Sequence, residues 1–179
     1  MTKENIQHIL EAVLLCSHTP LSVDQLQQIL APTVLSTQQI EDHLQQLRLY
    51  WGHRGLYLEH VASGWAFRSQ PSMQPYLSRL FTQRPVRYSR AALEILAIIA
   101  WRQPVTRGDI EDIRGVTVSS QILRNLQDRG WVEVLGFRDA PGRPALFGTT
   151  KQFLDDLGLR SLQDLPTFES LGSVEQSSQ

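Results

Sequence analysis

The stretch from Ser89 to Gly115 constrains the fold of this chain most strongly. It contains seven consecutive apolar residues, Ile95 to Trp101, and Glu94 is the only charge in the body of that helical segment. A surface helix shows one apolar stripe, whereas a helix that is apolar on most sides is buried on most sides. The sequence therefore predicts a central helix, then a Pro-containing turn, a short second helix and a glycine stop. This order is typical of the front half of a helix-turn-helix domain.

The residues after this stretch complete a small domain. Thr117 is the expected cap of a third helix, which Gly130 ends. A strand is predicted at 131–135 and its return strand at 144–149, with a Pro-Gly turn at 141–142 between them. This pair favours type II geometry, because glycine accepts a positive φ. Three helices followed by a hairpin is the order of a winged helix.

The first half of the chain repeats this order at a constant offset of 84 residues. The matched positions are Pro20 with Pro104, Ser22 with Thr106, Leu26 with Ile110 and Ile29 with Ile113. Helical periodicity covers residues 3–17, and capping boxes that begin at Ser22 and Ser36 start two more helices. A hairpin is predicted within residues 56–68. The sequence thus predicts two copies of one three-helix-plus-hairpin fold.

The predicted fold class is mainly α with small β hairpins (α+β), arranged as two tandem winged-helix domains. The expected boundaries are 1–83 for the N-terminal domain and 84–165 for the C-terminal domain, with a disordered tail at 166–179. The tail has four Ser, two Gln and two Glu and lacks a strong pattern, which favours disorder. Just before it, Phe153, Leu154 and Leu157 belong to a short helix that is expected to pack back onto the second domain.

Composition favours a protein of the reducing cytoplasm. The only cysteine, Cys16, ends an apolar run and is expected to be a small buried residue, and one cysteine permits no intrachain disulfide. No signal peptide is recognised, and no apolar run approaches the ~18 residues of a membrane span. The net charge of −1 argues against a protein that binds nucleic acid through its overall charge.

No constellation of residues indicates an enzyme. The sequence lacks a phosphate-binding Gly-Lys-Ser/Thr loop, a nucleophile elbow and a His-Glu-x-x-His motif. The five histidines are scattered and show no metal-ligand spacing. We therefore expect no catalytic residues, no cofactor and no metal.

Winged helices commonly bind DNA through the third helix and the wing, so a sequence-specific DNA-binding transcriptional regulator is the alternative function. The candidate DNA contacts lie in the second unit and are Ser119, Ser120, Arg124, Arg138 and Arg143. In the first unit, Glu41 and Asp42 near the start of the third helix would repel phosphate. Sequence-specific DNA binding is therefore a candidate function of the second unit only.

The other use of such domains is protein contact. The central helix of the second half and the N-terminal helix both carry wide apolar faces, which favour docking surfaces, although core packing alone explains them equally well. The candidate homodimer face is Ile6, Ile9, Leu10 and Val13.

Several segments of the chain resemble one bacterial family. They are SRAALEILAIIAWRQPVTRGDIEDIRGV, QILRNLQDRGWVEVLGFRDAPGRPALFGTT, FLDDLGLRSLQDLP, EAVLLCSHTPLSVDQLQQIL and, more loosely, LEHVASGWAFRS. Together they resemble segregation and condensation protein B over roughly residues 6–166. The chain departs from the family pattern at residues 115–119, where Gly-Val-Thr-Val-Ser stands in place of Gly-Val-Asn-Ser-Asp.

The resemblance implies a non-enzymatic protein of two winged-helix domains. It also implies a homodimer formed mainly through the first domain, which binds the kleisin subunit (segregation and condensation protein A) and through it the SMC ATPase. Such a subunit acts in chromosome condensation and partition, in the cytoplasm on the nucleoid, with DNA contact indirect. The candidate kleisin-binding residues are Trp101, Arg102 and Arg107.

Overall fold

The computed structural model describes residues 3–31, 33–80 and 87–166. The chain divides into two compact units, Met1–Arg90 and Ala91–Gln179. Both units consist mainly of helices with a small antiparallel sheet, so the predicted α+β class is confirmed. The boundary segment 83–85 and the tail after Pro166 lie outside the described residues.

The first unit has three helices followed by a hairpin, as predicted. Its elements are α1 (Lys3–Cys16), α2 (Val23–Ile29), α3 (Thr37–Trp51), β1 (Leu56–Val61) and β2 (Gly64–Ser69). A 3-10 turn and a one-turn helix, α4 (Gln74–Leu77), follow the hairpin. Both predicted capping boxes are present, since Ser22 and Ser36 each accept a hydrogen bond from the backbone three residues later.

The core of the first unit lies between the three helices and the hairpin. It contains Ile6, Leu10, Leu14, Leu26, Leu30, Ile40, Leu44, Leu47, Leu58 and Trp65. A backbone bridge connects the segment before α2 to strand β2, because Leu21 and Trp65 exchange hydrogen bonds of 2.8 and 2.9 Å. This bridge brings the start of α2 against the hairpin.

The second unit repeats the order with one added strand. Its elements are α5 (Arg90–Arg102), β3 (Val105–Thr106), α6 (Arg107–Arg114), α7 (Ser120–Asp128), β4 (Val132–Phe137), β5 (Ala145–Thr149) and α8 (Lys151–Asp156). The sheet is three-stranded in the order β3-β5-β4, whereas a plain turn had been predicted around Val105. Thr106 serves both as the last residue of β3 and as the cap of α6, which is why the strand has no separate sequence signal.

The third helix of the second unit begins later than predicted. Ser119, and not Thr117, is its cap, because Val118 is held in the core and its backbone N–H donates to Glu111 Oε1 at 2.8 Å. α7 has nine residues against 15 in α3, so the offset of 84 does not extend through the third helix.

The prediction of a central helix in the second unit is confirmed by the burial of α5. Ile95 and Ile99 are completely buried in the core of that unit, and Ala100 lies beside them. Leu93 on the same helix remains exposed, so one side of α5 is not covered by its own unit. Among the described residues, no helix is both long and apolar enough to cross a membrane.

Candidate protein-docking site

An apolar groove lies along the uncovered side of α5. It has a volume of about 350 Å³. Its lining comprises Leu93, Leu96, Ala97, Ala100 and Trp101 of α5, Phe153 of α8, and Leu157, Leu159, Leu165 and Pro166 of the segment that follows. Every lining residue is apolar, which is typical of a surface that binds apolar side chains of a partner.

The floor of the groove includes α8, which is held by side-chain contacts at both of its ends. Thr150 caps α8 by accepting a hydrogen bond from the backbone N–H of Phe153 at 3.1 Å. The indole N–H of Trp131 donates a hydrogen bond to Asp156 Oδ2 at 2.7 Å. The Trp131 and Phe153 rings lie edge-to-face, with their centroids 6.3 Å apart. The exposed Leu157 and Leu93 then form rims on a preformed surface. Preformed sites bind with less loss of conformational entropy.

Only one of the three predicted kleisin-binding residues lines this groove. Trp101 lines it, and Arg102 follows Trp101 directly as the exposed last residue of α5. Arg107 lies at the start of α6, where it donates to Glu111 and Ser120, each at 2.9 Å. Sequence reasoning did not name Leu157, Leu159 or Leu165 as candidate site residues, and it expected Leu157 only to pack back onto the second domain.

The predicted DNA contacts are largely engaged within the second unit. Arg138 donates two hydrogen bonds to the carboxylate of Asp109, at 2.6 and 2.9 Å, and Ser120 accepts one from Arg107. Ser119 caps α7, while Arg124 and Arg143 are exposed. A DNA phosphate would have to compete with Asp109 for Arg138, which disfavours the alternative of a DNA-binding regulator.

The wing strand gives the same indication. Val134, Leu135 and Phe137 of β4 are exposed apolar residues. A wing that contacts DNA generally presents cations and hydrogen-bond donors to phosphate. The exposed side of this wing is therefore suited to protein better than to DNA.

The Asp109–Arg138 pair ties the wing to the start of α6. Arg138 lowers the pKa of Asp109 most strongly, and the backbone N–H of Thr106 lowers this pKa further. A carboxylate with a lowered folded-state pKa stabilises the fold above its ordinary pKa of about 4, and this stabilisation is lost as the pH falls.

We expect Arg138→Gln to lower the melting temperature by a few degrees at pH 7 and low salt. The difference in melting temperature between the variant and the wild type should become smaller as the pH falls below about 4, because Asp109 is then protonated in the unfolded state. Thermal unfolding followed by circular dichroism from pH 7 to pH 3 measures this. Arg124→Gln is the control, since that exposed arginine forms no ion pair with any residue that the structure describes. An equal gap at both pH values would show that the pair does not contribute.

The predicted homodimer face is mostly internal to the first unit. Ile6 and Leu10 are buried in its core, and Ile9 and Val13 are half-buried against that core. The expectation that Cys16 is buried is wrong, because its thiol is exposed at the end of α1. The apolar residues of α1 therefore extend beyond the face of the helix that packs against the core.

A polar cleft lies between α1 and α3. It is lined by Gln7, His8, Glu11, Gln46, Leu47 and Tyr50. Trp51 donates from its indole N–H to Glu11 at 2.8 Å, and the guanidinium of Arg54 lies 4.3 Å from the Tyr50 ring centroid. Tyr, Trp and Arg are the residues most enriched at the energetic centres of protein interfaces.

Within the part of the chain that the structure describes, no group of three or more His, Cys, Asp or Glu residues could hold a metal ion. Two surfaces stand out among the described residues, the apolar groove of the second unit and the α1–α3 cleft of the first.

Comparison with known proteins identifies the family. The family model described as "Segregation and condensation complex subunit ScpB" matches residues 8–168. The segregation and condensation protein B homolog of Coxiella burnetii is 45% identical over 98% of this chain and 85% of its own length. The segregation and condensation protein B of Syntrophotalea carbinolica is 38% identical over 100% of this chain and 90% of its own length. The crystal structure of ScpB from Mycobacterium tuberculosis is 33% identical, covers 89% of this chain and 98% of its own, and has a TM-score of 0.42. On the family match and the sequence identities, this chain belongs to the ScpB family of segregation and condensation complex subunits.

Proposed function

We propose that this chain is a non-enzymatic accessory subunit of an SMC–kleisin complex that acts in chromosome condensation and segregation. The subunit forms a homodimer through its first domain, residues 1–83, and binds the kleisin through its second domain, residues 84–165. It works in the cytoplasm on the nucleoid, and its contact with DNA is indirect. Membership of the ScpB family supports the role in segregation and condensation.

The apolar groove of the second unit is the observation that carries the kleisin proposal. Its lining contains ten apolar residues and no charged one, so it suits aliphatic or aromatic side chains presented by one face of a helix. Trp101 supplies an aromatic wall, and Arg102 adjoins it as an exposed cation. A kleisin segment with an apolar face and nearby acidic residues would fit this arrangement.

The experiment that tests the proposal is co-purification of this chain with the segregation and condensation protein A of the same organism. A stable complex is expected, and its mass measured by light scattering gives the stoichiometry. Failure of the two purified proteins to associate at micromolar concentration would reject the proposal.

The homodimer proposal rests on the cleft of the first unit. Leu49 is 77% exposed on α3 and directly precedes Tyr50, which lines the cleft and has the Arg54 guanidinium over its ring. Such a combination is typical of an interface core with a polar rim. We place the dimer contact at this cleft and the adjoining Leu49.

We expect the wild-type chain to scatter light as a dimer, with twice the mass of 20.4 kDa. Leu49→Asp should yield a monomer at micromolar concentration, because it would place a carboxylate in the interface without disturbing the core. Leu80→Asp is the matched control, since Leu80 is 74% exposed and lies on neither of the two helices that form the cleft. A monomeric wild type would overturn the proposal, and a dimeric Leu49→Asp would move the interface elsewhere.

A further inference from the structure

The chain leaves the described part of the second unit at the rim of its own groove. Leu165 and Pro166 are the last two described residues, and both belong to the lining. The thirteen residues after them read TFESLGSVEQSSQ. Their only large apolar residues are Phe168, Leu171 and Val174, which are spaced three apart.

From this juxtaposition we infer that the segment after Pro166 binds in the groove of its own chain and competes there with the partner. The inference rests on the proposed function of the groove and adds a regulation of that site. The spacing of three places Phe168, Leu171 and Val174 along one edge of a helical or polyproline II backbone. Such an edge can present all three to a single apolar groove.

The short tether favours this occupant. Phe168 is two residues beyond Pro166, and two residues span at most about 7 Å. A segment joined by so short a link acts at an effective concentration on the order of millimolar, so weak contacts are enough to populate the bound state.

With a tethered competitor, the apparent affinity for the partner is proportional to the fraction of time for which the groove is free. If the groove is occupied nine-tenths of the time, the dissociation constant rises about tenfold. Partner binding then requires the segment to leave, which makes the groove a regulated site.

The test uses the full chain with Phe168→Ser and Leu171→Ser together, against a control with Ser173→Ala and Ser177→Ala. Biosynthetic 5-fluorotryptophan reports on the groove by ¹⁹F NMR, and Trp101→Phe assigns the groove resonance. The affinity for purified segregation and condensation protein A is measured in parallel by isothermal titration calorimetry. We expect the Trp101 resonance to shift only in the apolar double variant, and that variant to bind about tenfold more tightly.

The outcomes separate the two proposals. An unmoved Trp101 resonance with unchanged affinity would overturn the competition, while partner binding itself would stand. Weaker binding by the double variant would also overturn it, since the segment would then assist the partner. If no variant binds the partner, the proposed function fails, and the Trp101 resonance alone still decides whether the segment occupies the groove.

Discussion

Gly64→Ala is expected to lower the free energy of unfolding of the first unit by about 3–5 kcal/mol. Gly64 has a φ of 142°, a region that residues with a Cβ rarely adopt. A Cβ at this position would lie 2.2 Å from the carbonyl oxygen of Leu21. That oxygen accepts the hydrogen bond from the Trp65 backbone, so the bridge between α2 and the hairpin would have to open. Backbone strain of about 1–3 kcal/mol and lost hydrogen bonds of about 1 kcal/mol each add up to the expected cost.

Urea unfolding followed by far-UV circular dichroism measures this change. Gly55→Ala is the control, because a Cβ there meets only the Met73 side chain at an ordinary 3.8 Å. The control should change the free energy of unfolding by less than about 1 kcal/mol. Since small domains are stable by only about 5–15 kcal/mol, Gly64→Ala should remove a large share of this stability. A loss of less than about 1 kcal/mol in the free energy of unfolding would mean that the backbone at Leu21 moves away from the new Cβ at little cost.

Leu157→Asp is expected to weaken kleisin binding at least about a hundredfold without unfolding the second unit. Leu157 is 50% exposed at the groove, so the fold loses little when it is replaced. In the complex, the variant loses the burial of a leucine, worth about 1.5–3 kcal/mol, and leaves a carboxylate in an apolar environment. Each 1.4 kcal/mol corresponds to about a tenfold change in affinity.

The matched control is Leu162→Asp, which introduces the same charge at a leucine that is 39% exposed and does not line the groove. Calorimetric titration with segregation and condensation protein A compares the two variants, and circular dichroism confirms that both are folded. The control should bind like the wild type. If Leu157→Asp also binds like the wild type, the kleisin site lies outside the groove.

The helix starts and the order of the elements could be predicted because their signals are local. The capping boxes at Ser22, Ser36 and Thr106 each involve residues only three positions apart, and the structure contains all three. The start of α7 was predicted wrongly for a non-local reason. The side chain of Glu111, seven residues earlier, holds the backbone of Val118 and delays the helix until after Ser119.

The candidate site was only partly predictable. Trp101 was one of the three residues predicted to bind the kleisin, and it does line the groove. Leu157 had no distinguishing signal, because an apolar residue on a short helix is equally consistent with burial and with a groove rim. Arg138 looked like a cation available to DNA, and only the fold places Asp109, 29 residues earlier, within hydrogen-bond distance of it.

Periodicity, capping residues and glycine stops were enough to establish two copies of a three-helix-plus-hairpin unit, because each depends on neighbours within a turn or two of the backbone. Burial depends on contacts between residues far apart in the chain, and sequence pattern cannot supply those. The fold therefore decided that Ile6 and Leu10 lie in the core while Leu93 and Leu157 border an open groove. It also decided that a two-residue strand at Val105 joins the wing, since β-pairing requires a partner more than 40 residues away.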